Sequence, residues 1–355
     1  MKALVLAGGT GSRLRPFSYS MPKQLIPIAN KPVLERVLEN IRDLGVTEIG
    51  VIVGHHAKEI ADALGDGSRL GVAITYIPQE SPAGLAQCVT LARDFLGDDD
   101  FVMYLGDNML PQGIAEAAAE FRALRPAAQI VVQQVADPRA FGVAEVDAGG
   151  VVERLVEKPA VPRSNLALIG VYFFTSAIHE AVDAIEPSAR GELEITDAIQ
   201  WLVSHGATVR AQEYAGYWKD TGKVEDVLEC NQWLLDGMER RVEGDVDAES
   251  VLIGAVVVEP GARIRRSFVE GPAVIGAGTV LENSHVGPHT SIGRDCVLTG
   301  THLDYSIALD GVTVSGVRGL HGSLLGRSAA VTGTTVAHRH HRLVVGDHTR
   351  VEVAA

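Results

Sequence analysis

The run Gly8-Gly9-Thr10-Gly11-Ser12-Arg13, with Lys23 ten residues further on, has the composition of an anion site. Three glycines let backbone N–H groups close on phosphate oxygens, because no Cβ blocks the approach and a positive φ carries no penalty. Arg13 and Lys23 add positive charge. Two familiar phosphate loops are excluded by spacing: there is no Gly-Lys-Ser/Thr for a P-loop, and Leu14 stands where a G-x-G-x-x-G fingerprint starting at Gly9 needs its third glycine. A short glycine run with two cations is, on its own, an ordinary solvated turn. Here Pro16 and Pro22-Lys23-Gln24-Leu25-Ile26-Pro27 extend it into one long motif.

An apolar run, Ala3 to Leu6, leads into this loop and reads as a buried strand. Further strands are expected at 48–53, 73–77, 101–105, 129–135 and 168–174, and helices at 84–95, 113–124, 194–204 and 224–235. Val33, Leu34, Val37, Leu38, Ile41 and Leu44 recur at helical spacing. Such alternation implies βα units around a mixed, mostly parallel sheet, a Rossmann-like α/β domain. Ligands in these sheets lie at the carboxyl ends of strands, where both the glycine loop and Asp107 fall.

Beyond about residue 250 the period changes to six. Leu252, Val258 and Ile264 form one row, Val269, Ile275 and Leu281 another, and Val280, Val286, Ile292 and Leu298 a third, and Leu325 with Val331 and Val345 with Val351 continue it after an irregular interval near 309–320. This is the hexapeptide rhythm of a parallel β-helix. The expected organisation is a catalytic domain over 1–238, a charged linker over 239–250 and a left-handed β-helix over 251–355.

At 355 residues the chain is long enough for two domains, and 46% hydrophobic with 21% charged residues is a globular composition. A net charge of -14 argues against a nucleic-acid partner, which would need a basic footprint. Cys88, Cys230 and Cys296 are widely spaced and odd in number, forming neither a disulfide framework nor a zinc pattern. No apolar run is long enough to span a bilayer, and the first residues enter a glycine loop rather than a signal sequence. The expected location is the cytoplasm. An oligomer of identical chains is also expected, since β-helices commonly associate side by side.

The N-terminal motif resembles the signature of the sugar-1-phosphate nucleotidyltransferases, and within them of the glucose-1-phosphate thymidylyltransferases. Four more segments agree in order: Gln79-Glu80-Ser81-Pro82-Ala83-Gly84-Leu85-Ala86-Gln87, Leu105-Gly106-Asp107-Asn108, then Val156-Glu157-Lys158-Pro159 with Arg190-Gly191-Glu192-Leu193-Glu194-Ile195-Thr196-Asp197, and Trp218-Lys219-Asp220-Thr221-Gly222. The resemblance implies that dTTP and glucose 1-phosphate are the substrates and Mg²⁺ the cofactor. It places Leu6, Gly8, Gly9, Gly11 and Ser12 on the triphosphate, Arg13 on the leaving pyrophosphate and Lys23 on the α-phosphate. Gln79 and Gly84 would read the pyrimidine edge, while Asp107 and Asp220 would hold the metal if the fold brings them together. Glu157 and Glu194 would bind sugar hydroxyls, Lys158 the sugar phosphate, and Gly142 with Val171 would wall the sugar.

Two departures stand out. Ser12 replaces the usual threonine, and Asn30-Lys31-Pro32 replaces Asp-Lys-Pro of the shorter relatives. Alternatives are a nucleotidyltransferase for UTP, ATP or another sugar 1-phosphate, or a bifunctional protein whose β-helix transfers acyl groups through His285, His289, His302 or His321. A metal site at His338-Arg339-His340-His341 is disfavoured, because neighbouring residues on a strand face opposite ways.

Overall fold

The computed structural model describes residues 1–334 and 343–354; the His338–His341 run lies outside them. Contacts divide the chain into two compact units, Met1–Thr10 with Leu34–Asp220, and Gly11–Val33 with Thr221–Ala355.

The first unit is built on one mixed sheet. Its spatial order is Val152–Glu157, Gly142–Val146, Leu166–Phe174, Phe101–Leu105, Lys2–Leu6, Glu48–Val53 and Ala73–Pro78, with Ala128–Gln134 and Val209–Glu213 attached beside Leu166–Phe174. Lys2–Leu6 pairs in parallel with Glu48–Val53 on one side and Phe101–Leu105 on the other. Being covered on both faces, it is apolar without alternation, and Ala3, Leu4 and Val5 are wholly buried. The sheet turns antiparallel where Leu166–Phe174 enters beside Phe101–Leu105. The strands Gly142–Val146 and Val152–Glu157, absent from the sequence expectation, form an antiparallel pair that ends at Gly142 opposite Glu157.

In the second unit, three parallel sheets wind into the left-handed β-helix. The residues spaced by six are successive faces of one coil, and the vertical stacks run instead at the length of a coil. Leu252 stacks on Val269 and Ile264 on Leu281, seventeen residues on in each case. A coil is therefore two steps of six and one of five, as in Leu252, Val258, Ile264 and Val269. The irregular interval in the sequence has its origin here: between Leu303 and Ala308 the five-residue step moves to a different corner, and Leu298 stacks on Val314 only sixteen residues on. The interior stays aliphatic, with Ile264, Leu281, Leu298 and Val314 fully buried.

The stretch expected to be a linker, 239–250, is part of this coil. Arg241–Val242 and Asp245–Val246 pair in parallel with Val256–Val258 and Arg263–Arg265. Strand pairing rather than hydrophobicity defines this coil, so its charged composition concealed it.

Candidate active site

The carboxyl end of Lys2–Leu6 supplies the floor. Ala7 N–H donates to Ile52 O at 2.9 Å and Gly106 N–H to Leu6 O at 2.9 Å, so the glycine loop and the residue preceding Asp107 leave the sheet side by side. Gly8 does not adopt positive φ; it is needed for space, since a Cβ there would lie 2.6 Å from Gln79 Oε1. Gly9 likewise has no positive φ.

The loop 79–87 is pinned from within. Gln79 is buried, and its Nε2 donates to Gln87 Oε1 at 2.8 Å, while the same oxygen accepts the Ala83 N–H at 2.9 Å. This leaves the Gln79 carbonyl turned toward Gly8. Gly84 has φ +110°, and a Cβ on it would sit 2.3 Å from Leu193 O, so glycine is demanded twice over. Leu193 N–H donates to Ala83 O at 2.7 Å and Leu193 O accepts the Ala86 N–H at 3.0 Å. The base loop and the residue before Glu194 are thereby one framework. Burial pushes the Cys88 thiol beside Gln79 up to about 12, keeping it protonated.

A two-residue ladder sets Asp220 opposite the residue that follows Asp107. Asn108–Met109 pairs antiparallel with Lys219–Asp220, setting Asp220 opposite Asn108. Trp218 Nε1 donates to Asn108 Oδ1 at 2.7 Å, and Asn108 Nδ2 approaches Asp107 Oδ1 at 3.3 Å, so an amide orients the buried carboxylate and an indole orients the amide. Phe141 packs edge-on against Trp218.

Beside this ladder opens a cleft lined by Asn108, Gly142, Glu157, Lys158, Glu194, Thr196, Trp218 and Asp220 among others. Glu157 is held by the Thr196 hydroxyl at 2.7 Å, Lys158 Nζ at 3.1 Å and Arg190 Nη1 at 3.4 Å. Glu194 is buried at the start of the helix Ile195–Ser204 and accepts from Ser188 Oγ at 3.0 Å and Arg190 Nη1 at 3.2 Å. Burial raises its pKa above the ordinary value, and the Glu157 carboxylate adds to the rise against the opposing pull of Ser188 and Arg190. Gly142 is required because a Cβ would come within 2.8 Å of Thr196 Oγ1.

Val171 does not line the cleft. It is wholly buried, and its strand neighbours Leu168, Ile169, Gly170 and Tyr172 line it instead, where the pairing of Leu166–Phe174 with Ala128–Gln134 shifts register. Gln87, Asn108, Thr196, Arg190 and Trp218 lie inside the motif segments, yet had no role assigned. The signal was present in their adjacency to motif residues, but only the ladder and the hydrogen bonds reveal which side chains they orient.

Gly11, Ser12, Arg13 and Lys23 belong to the second unit. Ser12–Leu14 and Lys23–Leu25 are single 3₁₀ turns. Gly11 takes φ +62° and packs onto the segment's own side chains, with a would-be Cβ 3.1 Å from Ser18 Cβ and 3.3 Å from Lys23 Cβ. In the β-helix, His285 and His302 stack with ring centres 4.2 Å apart, while His289 meets Asp236 at 2.8 Å and His321 meets Asp304 at 2.7 Å. Among the described residues no helix is long and apolar enough to cross a membrane.

Comparison with known proteins agrees with this geometry. The family described as Nucleotidyl transferase matches residues 2–237. The chain is 54% identical to a glucose-1-phosphate thymidylyltransferase of Streptomyces griseus over the whole of both chains, and 53% identical to one of Streptomyces antibioticus over 99% of each. A crystal structure of a putative glucose-1-phosphate thymidylyltransferase from Bacillus anthracis, in complex with a sucrose, superposes with a TM-score of 0.61 at 35% identity, covering 65% of this chain and 94% of that one. The family match over residues 2–237 and the full-length identity make this chain a nucleotidyltransferase, a member of the nucleotidyl transferase family alongside the glucose-1-phosphate thymidylyltransferases.

Proposed function

We propose that this enzyme transfers a thymidylyl group from dTTP to glucose 1-phosphate, releasing pyrophosphate and forming dTDP-glucose. A phosphate oxygen of the sugar attacks the α-phosphorus, the new P–O bond forms, and the bond to the departing pyrophosphate breaks on the opposite side. Both reactants are anions, so positioning and charge stabilisation supply the acceleration and no protein nucleophile is required.

The observation that carries the reading is the register that sets Asp220 opposite Asn108, one residue from Asp107, at a cleft lined by Glu157, Lys158 and Glu194. Two carboxylates suit Mg²⁺, which usually binds through one or two carboxylates together with substrate phosphates and water. Among the described residues there is no group of three or more His, Cys, Asp or Glu that would form an all-protein cage, so substrate oxygens would complete the shell. When bound, the ion neutralises charge on the phosphates.

The chain's own groups do the rest. Backbone donors of Gly8, Gly9 and Gly11, with Leu6 and Ser12, hold the triphosphate; Arg13 takes the leaving pyrophosphate and Lys23 the α-phosphate. Gln79, its amide nitrogen engaged by Gln87, presents its carbonyl to the N3–H of a thymine imide, and Gly84 offers its backbone. Lys158 binds the sugar phosphate, and Glu157 and Glu194 accept from hydroxyls. Gly170 and Tyr172 take the wall position expected of Val171. The cell compartment we propose is the cytoplasm, and the assembly a homo-oligomer.

A panel of dTTP, UTP, dCTP and ATP with glucose 1-phosphate, followed by pyrophosphate release, tests the reading. The highest kcat/KM is expected with dTTP; equal rates with ATP would overturn the thymidylyl assignment.

A further inference from the structure

The segment Gly11–Val33 packs as part of the same compact unit as the β-helix, and both of its ends are tied to the coils. Toward its first end, Arg327 Nη2 donates to Ser20 O at 3.1 Å and to Asp347 Oδ2 at 2.7 Å, and Arg327 Nε donates to the same carboxylate oxygen at 2.9 Å. The Asp347 side chain is 3% exposed and also accepts the Arg327 backbone N–H at 2.8 Å, so the guanidinium is fixed before it reaches Ser20. Gly346 lies against Pro16, 3.4 Å from its Cβ by the position a side chain would take.

The far end is held by amides. Asn30 Nδ2 donates to Ile292 O at 2.8 Å. Asn231, fully buried on the helix Val224–Asp236, accepts from Ala29 N–H at 2.9 Å and Ser291 Oγ at 2.6 Å, and donates to His289 O at 3.0 Å. The turn so gripped is unusual, since Ala29 and Asn30 both have positive φ. The contact calls for an amide at position 30, since an ionised carboxylate has no proton to give the Ile292 carbonyl.

We propose that the β-helix is the mould of the anion-binding segment. Arg327 with Asp347, and Asn30 with Asn231, are positioning residues that hold the backbone carrying Arg13 and Lys23. The proposal rests on the assignment of those two cations to the phosphates. A misplacement of about 1 Å at such a site can cost roughly a hundredfold in rate, so the anchors reach turnover without touching substrate.

The test uses the full-length enzyme with Arg327→Ala, Arg327→Lys, Asn30→Asp and, as a control, Lys23→Ala. Hydrogen exchange of peptides within 11–33 is compared with that of the central strand 101–105, beside kcat and KM. Arg327→Ala and Asn30→Asp are expected to speed exchange in 11–33 by about tenfold or more while 101–105 is unchanged. Turnover should fall roughly tenfold with KM for glucose 1-phosphate little altered, and Arg327→Lys should recover part of both. Unchanged exchange in 11–33 for Arg327→Ala and Asn30→Asp overturns the proposal. So does faster exchange with wild-type kcat when Lys23→Ala has lost turnover. Wild-type turnover in Lys23→Ala would instead sink the phosphate assignment, and the exchange result alone then decides whether the coils hold the segment. Should Arg327→Ala not fold, Arg327→Lys and Asn30→Asp carry the same comparison.

Discussion

Residues in this enzyme act in oriented pairs, and the orienting partner is as informative as the group oriented. Gln87 engages the amide nitrogen of Gln79 and leaves its carbonyl free to accept; in the proposed function that carbonyl reads the base, where an imide N3–H satisfies it and the N3 lone pair of cytosine does not. Replacing Gln87 by Met frees the amide to turn. The dTTP over dCTP preference in kcat/KM is then expected to shrink by about tenfold or more, whereas Gln87→Glu, which keeps the acceptor, should retain most of it. Glu194 offers a pH handle. Its pKa lies above the ordinary 4.5, chiefly through burial, so on acidification it protonates earlier than an exposed glutamate and, in its proposed role, loses an acceptor for the sugar. KM for glucose 1-phosphate should accordingly rise on the acid side at pH values where exposed carboxylates are still ionised. Glu194→Gln should raise KM at neutral pH and flatten that limb in steady-state kinetics. The types of these residues were legible from motifs; their partners were not, because a hydrogen bond between Gln79 and Gln87 leaves no mark on spacing that a helix or turn would not also leave.

At the scale of elements, apolar strands such as Glu48–Val53 and Phe101–Leu105 were readable because burial on both faces writes a nearly continuous apolar run. Helix Val224–Asp236 was readable too, differing by one residue at its end. Two-residue strands have no period to read, and the pairing of Asn108–Met109 with Lys219–Asp220 is therefore invisible in sequence although it sets Asp220 one residue from Asp107. The 79–87 loop shows how tightly elements are coupled. Gly84→Ala must place a methyl 2.3 Å from Leu193 O at φ +110°, and should cost on the order of 1–3 kcal/mol in backbone strain alone, with further loss from the clash. Denaturant melts would register the loss, and kcat/KM for dTTP should fall with it, since Leu193 ties this loop to Glu194.

For the molecule as a whole, the hexapeptide rhythm revealed a β-helix but blurred its coil, because six counts faces and seventeen counts turns. The charged first coil, 239–250, escaped notice since its strands are defined by pairing to the next coil rather than by apolar residues. Each coil rests on its neighbours, so a cavity at Leu281 should loosen more than one. Leu281→Ala is expected to cost about 2–5 kcal/mol in chemical denaturation. The proposed function depends on two carboxylates more than a hundred residues apart in sequence, Asp107 and Asp220, sharing one ion, with one short ladder setting Asp220 opposite the residue after Asp107. Titration of Mn²⁺, as a spectroscopic substitute for Mg²⁺, into the enzyme with dTTP addresses it most directly, using wild type, Asp107→Asn and Asp220→Asn with thermal melts to confirm folding. Both variants should bind the ion markedly more weakly and lose turnover by about a hundredfold or more. Wild-type ion affinity and turnover in either one would contradict the account.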